Sequence, residues 1–230
     1  MPVLRRLIKV SAVVLGGGLL VAGCSPVKMG AAAVVGNQRI TIATLDTEVT
    51  DLSQAAKQYP ANISLSQAQE TQQALGWLVR FQVAEQLARQ QGITISTAQA
   101  QTALAQIYAA SKSEAESDGL SNVTLDLILA ANGIPPNLAA EVGRYQAIQT
   151  QYVEQVNGGK LPTTTAAQTA VTAKLDKAQC VAAKSLQIQI NPQFGRLNYS
   201  QLSVVSAAST VTRAAGTAKA VSTAGLTPAC

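Results

Sequence analysis

The stretch that decides the fold runs from residue 74 to residue 88 and reads Ala74-Leu-Gly-Trp-Leu-Val-Arg-Phe-Gln-Val-Ala-Glu-Gln-Leu-Ala88. Its apolar residues cover much more than one stripe of a helix, and a helix that is apolar on several faces is buried inside a bundle. The single tryptophan of the chain, Trp77, and one of its two phenylalanines, Phe81, lie in this stretch. We therefore predict that it forms a central helix and the core of the protein.

The start and the end of this central helix have their own signals. Ser64 and Ser66 each stand three residues before a glutamine, the capping-box arrangement that satisfies free amide groups at a helix start. Gly92 can adopt the left-handed conformation in which helices commonly end. The sequence therefore predicts a helix that begins after one of these serines and ends at Gln91.

Apolar residues continue at helical spacing on both sides of the central helix. They predict further helices over residues 42–59, 96–110, 123–131, 135–156 and 165–185, with Thr41, Ser96 and Thr165 as capping residues. The polar stretch 111–122 contains Glu114, Glu116 and Asp118. We expect the 96–110 helix to fray before it and the stretch to be solvated.

Two short segments have the pattern of β-strands instead. Residues 34–41 read Val-Val-Gly-Asn-Gln-Arg-Ile-Thr, in which two β-prone pieces flank a Gly-Asn turn and predict a hairpin. In residues 186–190 apolar side chains alternate with glutamines. A strand this short needs partners, so we expect Ile40 or a neighbour to pair with it. The predicted fold class is mainly α: a helical bundle closed by a small sheet that pairs the N-terminal hairpin with a C-terminal strand.

The N-terminus has the order of a secretory signal. Basic residues come first, a short apolar run follows, and Val21-Ala22-Gly23-Cys24 resembles a bacterial lipobox. The resemblance implies a lipoprotein signal peptide over residues 1–23, a diacylglyceryl anchor on Cys24 and a location on the outer face of the cytoplasmic membrane. Residues 24–33 would form a tether. The alternative is an ordinary apolar leader with an incidental cysteine.

Charge excludes one class of partner. The chain has 17 lysines and arginines against 12 acids. Arg5, Arg6 and Lys9 would leave with the signal peptide, so the remainder would have 14 basic residues against 12 acids. A nucleic-acid partner needs a clustered basic patch, whereas the remaining cations are scattered singly. We therefore expect no nucleic-acid binding.

The cysteines and the C-terminal segment allow two further predictions. With Cys24 lipidated, Cys180 and Cys230 remain in a compartment where disulfides persist. A bridge between them would close a loop of about 50 residues and contribute about 4 kcal/mol in the chain-entropy model. The alternative is two free thiols. Residues 201–230 are rich in alanine, threonine and serine, and we predict a disordered tail there.

Three segments resemble the N-terminal domain of SurA- and PrsA-type extracytoplasmic chaperones. The 34–41 hairpin is similar to the one that opens this domain. The pattern of Leu75, Leu78, Val79, Leu87 and Ala88, followed by residues 92–96, is similar to its long helix and the turn after it. Residues 188–198 resemble the closing strand of SurA-like lipoproteins, with Gln193 in place of arginine and Leu197 in place of tryptophan. The resemblance implies a SurA-N-like helical chaperone domain over residues 34–200.

Full-length relatives often carry a parvulin-type prolyl isomerase between the bundle and the last helix. Here the corresponding loop, residues 158–165, is far too short for a domain of about 50 residues or more. The chain has no histidine, which removes the parvulin site, His-based acid–base and nucleophilic catalysis, and the commonest metal ligand. We expect a protein without catalysis, metal or cofactor.

Two functions of different classes fit these expectations. The first is a membrane-anchored, chaperone-like holdase that holds unfolded or newly exported polypeptides. Its client-binding groove would contain Trp77, Phe81, Tyr145, Ile148 and Tyr152, and the alternative is that these side chains are simply core. The second function is a structural or adaptor lipoprotein that docks one specific partner of the cell envelope.

Overall fold

The computed structural model describes residues 29–207 of the chain. The predicted signal peptide, Cys24, residues 25–28 of the tether and residues 208–230 of the tail lie outside the described residues. The helices within the described part are α1 Ile42–Gln58, α2 Gln67–Gln91, α3 Thr97–Ser117, α4 Leu125–Ala131, α5 Ala139–Val156 and α6 Thr165–Ser185. A short 3-10 helix, Pro136–Leu138, leads into α5. The strands are β1 Ala31–Val35, β2 Gln38–Thr41, β3 Gln189–Ile190, β4 Arg196–Asn198 and β5 Ser203–Val205.

The central helix α2 forms as predicted. Ser66 caps it through a capping box with Gln69, and Gly92 ends it in the left-handed conformation with a φ of 65°. The helix packs against α1, α5, α6, β1 and β5. Leu75, Val79 and Leu87 are fully buried. The apolar stretch that opened the sequence therefore forms the centre of the bundle.

Two helix boundaries differ from prediction. Helix α3 continues to Ser117 instead of fraying before residue 111. In its last turns the Lys112 Nζ lies 3.8 Å from the Glu116 Oε1, an i,i+4 ion pair. Such a pair stabilises an exposed helix end by roughly a few tenths of a kcal/mol without an apolar face. Helix α6 is capped by Thr164, whose side chain accepts from the Ala167 amide, and not by Thr165.

A three-stranded sheet closes the bundle in the order β2–β1–β3. The predicted pairing of the hairpin with the C-terminal strand is confirmed, but Ile40 is not the residue that contacts β3. Ala33 pairs with Ile40 on one side and with Ile190 on the other, because β1 occupies the middle of the sheet. Strand β1 also begins at Ala31 and is buried from there. The predicted tether therefore includes three residues that belong to the fold.

A second, two-stranded sheet of β4 and β5 was not predicted. It extends the fold past the predicted boundary at residue 200 to Val205. A turn at Asn191 connects it to β3: the Asn191 amide donates to the Ala32 carbonyl at 2.9 Å, and its side-chain Nδ2 donates to the Ala31 carbonyl at 3.1 Å. The segment that resembled a closing strand therefore fixes the C-terminal strands to β1.

An ion pair connects helices α5 and α2. Arg144 forms a bidentate ion pair with Glu85 and also donates to the Ile95 carbonyl at 3.0 Å. The hydrogen bond to Glu85 raises the pKa of Arg144, so the guanidinium keeps its charge. None of the helices in residues 29–207 combines the length and the apolar character needed to cross a membrane.

Candidate functional site

The five residues predicted to form a client groove do not share one surface. Phe81, Ile148 and Tyr152 are 8%, 1% and 7% exposed and pack in the core. Burial therefore favours the core alternative for these three side chains, because an unfolded chain could reach them only if the helices separated. Trp77 and Tyr145 are half-buried. A role of these two side chains in client binding stays a prediction.

Three of these side chains form an aromatic cluster between α2 and α5. The ring centroids of Trp77, Phe81 and Tyr145 lie 5.8 to 5.9 Å from one another, with the Tyr145 ring edge-on to the other two. Such edge-to-face pairs are favourable beyond the area that they bury. The cluster is a packing feature that holds α5 against α2.

A polar cavity of about 230 Å³ adjoins this cluster. Its lining comes from α2, α5, α6 and the turn between β4 and β5, and consists of Arg80, Tyr145, Asp176, Gln179, Cys180 and residues 199–202. Arg80 lies over the Trp77 ring, with its Cζ 4.6 Å from the ring centroid. The Arg80 Nε donates to the Leu202 carbonyl at 3.0 Å. Four separate elements therefore meet around one guanidinium group.

The environment of this cavity shifts the pKa values of its ionisable groups. Burial lowers the pKa of Arg80 and raises the pKa of Asp176. Burial also raises the pKa of the Tyr145 hydroxyl, against the opposing effects of the Arg80 charge and of the side chains of Gln179 and Gln149. All three directions reflect the cost of placing a charge away from water.

One wall of the cavity contains Cys180. This residue is buried and disulfide-bonded, and its bonding partner lies outside the described residues. Cys230 is the partner that the sequence predicts, and it also lies outside them. The Cys180–Cys230 pairing stays a prediction.

Two open grooves flank the outer side of α5. The groove between α5 and α6 has a volume of about 350 Å³ and no charged residue in its lining, which is Gln146, Gln149, Thr150, Val153, Leu161, Pro162, Gln168, Val171, Thr172 and Leu175. The groove between α3 and α5 has a similar volume, and Glu154 is the one charged residue that lines it. Thr150 lines both grooves. The outer side of α5 therefore presents two adjoining surfaces of amide, hydroxyl and aliphatic groups.

The acidic residues do not form a metal site in the described part of the chain. Residues 29–207 contain no group of three or more carboxylates or cysteines placed to hold a metal ion. Glu116 is instead paired with Lys112.

Sequence reasoning missed the cavity and the outer grooves. Arg80 is the one positively charged residue within the apolar stretch 74–88, and a cation in a stretch predicted to be buried is a signal that could have indicated the cavity. No comparable signal existed for Gln179 or for the grooves, because glutamine and threonine are common throughout the chain.

Comparison with protein families identifies this architecture. The family model for the SurA-like N-terminal domain matches residues 3–138, and the chain belongs to this family. The match ends at the 3-10 helix before α5, so α5, α6 and strands β3 to β5 follow it. The family is of chaperone type and non-catalytic, and it is associated with the binding of unfolded polypeptides. Searches of curated proteins and of solved structures found no match.

Proposed function

We propose that this protein is a membrane-anchored, extracytoplasmic holdase that binds unfolded or newly exported polypeptides without catalysis. The observation that carries the proposal is membership of the SurA-like N-terminal domain family. The coarse class, a chaperone-type domain, follows from that membership. The anchor, the location and the holdase activity are the additional elements of the proposal.

The two grooves beside α5 support polypeptide binding. A holdase has to accept many sequences, and a surface with almost no charge imposes little electrostatic selection on its ligand. Glutamine and threonine side chains can exchange hydrogen bonds with a peptide backbone, while Val153 and Leu161 offer apolar contact. Leu161 is 53% exposed. We therefore assign client binding to the outer side of α5 and not to Phe81, Ile148 and Tyr152, which are buried.

The lipid anchor rests on the sequence around Cys24. The order of basic residues, apolar run and Val-Ala-Gly-Cys supports export followed by lipidation of this cysteine. Replacement of Cys24 by alanine should leave an uncleaved precursor or a protein released from the membrane fraction. A Cys24→Ala variant that keeps wild-type cleavage and fractionates with membranes like wild type would contradict the anchor.

The absence of catalysis in the proposal rests on composition and connection length. The chain has no histidine. The connection between α5 and α6 consists of residues 157–164, where relatives often carry a prolyl isomerase domain. We therefore expect no acceleration of prolyl isomerisation by the purified protein.

Aggregation assays test the proposed function. Purified protein that begins at residue 25 should slow the aggregation of several unrelated unfolded clients at near-stoichiometric amounts. It should leave the rate of prolyl isomerisation of a test peptide unchanged. Protection of one partner only would favour the structural or adaptor lipoprotein instead, and failure to protect any client would contradict the holdase.

A further inference from the structure

The cavity beside the aromatic cluster contains a positive charge with no anionic partner. The ion pairs formed within residues 29–207 are Lys112–Glu116 and Arg144–Glu85, and neither includes Arg80. Arg80 is half-buried, and its hydrogen bonds go to the backbone carbonyls of Gln201 and Leu202 at 3.3 and 3.0 Å. Carbonyl oxygens orient the guanidinium but leave its net charge uncompensated. Even partial burial of a cation without a counter-charge is unfavourable.

A second donor in the cavity lacks an acceptor. Gln179 is 9% exposed and lines the cavity. Its side chain lies near the Tyr145 hydroxyl and opposes the rise in the pKa of that group, but its buried Nε2 makes no hydrogen bond of good geometry within the described residues. An unmade bond at a buried donor costs about 1–3 kcal/mol. The Tyr145 hydroxyl belongs to the same lining. The cavity therefore combines a guanidinium, an unpartnered amide donor and a hydroxyl.

The space available fits a small planar anion. A single buried water needs a cavity volume of roughly 10–15 Å³. The cavity of about 230 Å³ therefore has room for a carboxylate and the chain atoms that bear it. Arginine matches carboxylates because its planar fork can donate two parallel hydrogen bonds. Asp176 is the one carboxylate in the lining, and it forms no ion pair with Arg80. Within residues 29–207, no carboxylate therefore compensates the Arg80 charge.

We propose that the cavity formed by Arg80, Tyr145 and Gln179 binds a carboxylate group of a captured polypeptide, from its C-terminus or from an aspartate or glutamate side chain. This inference rests on the proposed function for the source of the carboxylate. An anion at this point would compensate the Arg80 charge and accept from Gln179. Burial lowers the pKa of Arg80, and an anion beside the guanidinium would favour its charged form.

The position of the only tryptophan allows a direct test. Trp77 is in contact with Arg80, so its fluorescence should change when an anion binds there. The protein, kept under non-reducing conditions, is titrated with N-acetylated tetra-alanine that has a free C-terminal carboxylate, and binding is measured in parallel by calorimetry. The free-acid peptide should bind saturably, and the same peptide with an amidated C-terminus should bind at least about tenfold more weakly.

A third probe separates the two sources of the carboxylate. An N-acetylated, C-amidated tetrapeptide with one central aspartate should bind if side-chain carboxylates are accepted. Binding of the free-acid probe alone would restrict the site to chain ends. Equal binding of the free-acid and amidated tetra-alanine probes would overturn the proposal, as would the absence of both heat and fluorescence change at millimolar concentrations.

Matched variants place the binding in the cavity. Arg80→Met should lower the affinity for the free-acid peptide at least about tenfold. Arg89→Met, on the exposed end of the same helix, should leave this affinity unchanged. Because Arg80 also holds the β4–β5 turn, Gln179→Glu serves as a second variant. It puts an internal carboxylate into the cavity and should abolish probe binding in a folded protein. The proposed site would be wrong if the Gln179→Glu variant still bound the free-acid peptide. It would also be wrong if Arg89→Met lowered the affinity as much as Arg80→Met.

The aggregation assay separates this inference from the proposed function. A protein that protects clients but does not distinguish the free-acid from the amidated peptide is a holdase without a carboxylate site. A protein that binds the free-acid peptide but protects no client has the site without the holdase function.

Discussion

The two sides of helix α5 have opposite properties. On its inner side Ile148 is buried in the core and Gly143 lies close to Ala100 of α3, whereas its outer side presents Gln149, Thr150 and Val153 to two open grooves. A substitution on the inner side should change stability, and one on the outer side should change binding. Ile148 therefore belongs to the core, whereas the proposed binding surface consists of amide, hydroxyl and aliphatic groups.

The largest effect is expected at Ile148. This side chain is 1% exposed at the centre of the bundle. Ile148→Ala should lower the free energy of unfolding by about 2–5 kcal/mol, because it removes buried methyl groups and leaves a cavity. Urea denaturation followed by circular dichroism measures the change. A loss below 1 kcal/mol would show that the inner side of α5 is not packed as described.

A smaller effect is expected from a methyl group added at Gly143. A Cβ at this position would lie 2.4 Å from the Ala100 carbonyl oxygen and 3.0 Å from the Leu104 Cβ, so α3 and α5 would have to separate. Gly143→Ala should therefore destabilise the protein by about 1–3 kcal/mol, despite the better helix propensity of alanine.

Gly76 provides the matched control for this substitution. It is also a buried helical glycine, but a Cβ there would meet its nearest neighbour, the Val204 amide nitrogen, at 3.6 Å, an ordinary contact. Gly76→Ala should be neutral or stabilising by up to about 1 kcal/mol. Equal changes in the melting temperature of the two variants would contradict the close approach of α3 and α5.

The smallest stability effect should depend on pH. Glu48 on α1 is 9% exposed, and burial followed by the charges of Asp51 and Glu141 raises its pKa. The folded protein therefore binds a proton at Glu48 more tightly than the unfolded chain does. The linkage relation then makes the free energy of unfolding fall as pH rises from the ordinary glutamate pKa through the raised one. Glu48→Gln should remove this decline.

Melting temperatures at two pH values check this prediction. Glu48→Gln should melt higher than wild type at pH 7 and closer to wild type at pH 3, which lies well below the ordinary pKa of glutamate. Asp46→Asn on the exposed side of α1 serves as the control. A Glu48→Gln variant less stable than wild type at pH 7 would contradict the destabilisation of the charged carboxylate by burial and by its acidic neighbours.

Sequence reasoning succeeded where structure depends on nearby residues. The caps of α1, α2 and α3 were predicted because Thr41, Ser66 and Ser96 hydrogen-bond amides only three residues further along the chain. The pairing of the hairpin with β3 was predicted because such short strands need partners. The order of the strands was not predicted, because the central position of β1 depends on its packing against α2.

The remaining features depend on contacts between distant segments. Strands β4 and β5 lack a clear alternating pattern, and their turn is held by Arg80, about 120 residues earlier, through hydrogen bonds to the carbonyls of Gln201 and Leu202. Among the predicted groove residues, Phe81, Ile148 and Tyr152 are buried, because large apolar side chains gain most from burial. The cavity and the outer grooves are visible only after α2, α5 and α6 have been brought together.

Two exposed apolar side chains allow a test of whether polypeptides bind along the outer side of α5. Leu161 in the groove and Val181 on α6 outside both grooves are 53% and 56% exposed. Leu161→Gln and Val181→Gln should both leave the melting temperature within about 2 °C of wild type.

The decisive measurement is the concentration of each variant that halves the aggregation of an unfolded client. For Leu161→Gln this concentration should be about fivefold higher than for wild type, because partial burial of a leucine contributes about 1 kcal/mol to binding. For Val181→Gln it should equal the wild-type value. Full protection by Leu161→Gln, or an equal loss in both variants, would contradict the assignment of client binding to the outer side of α5.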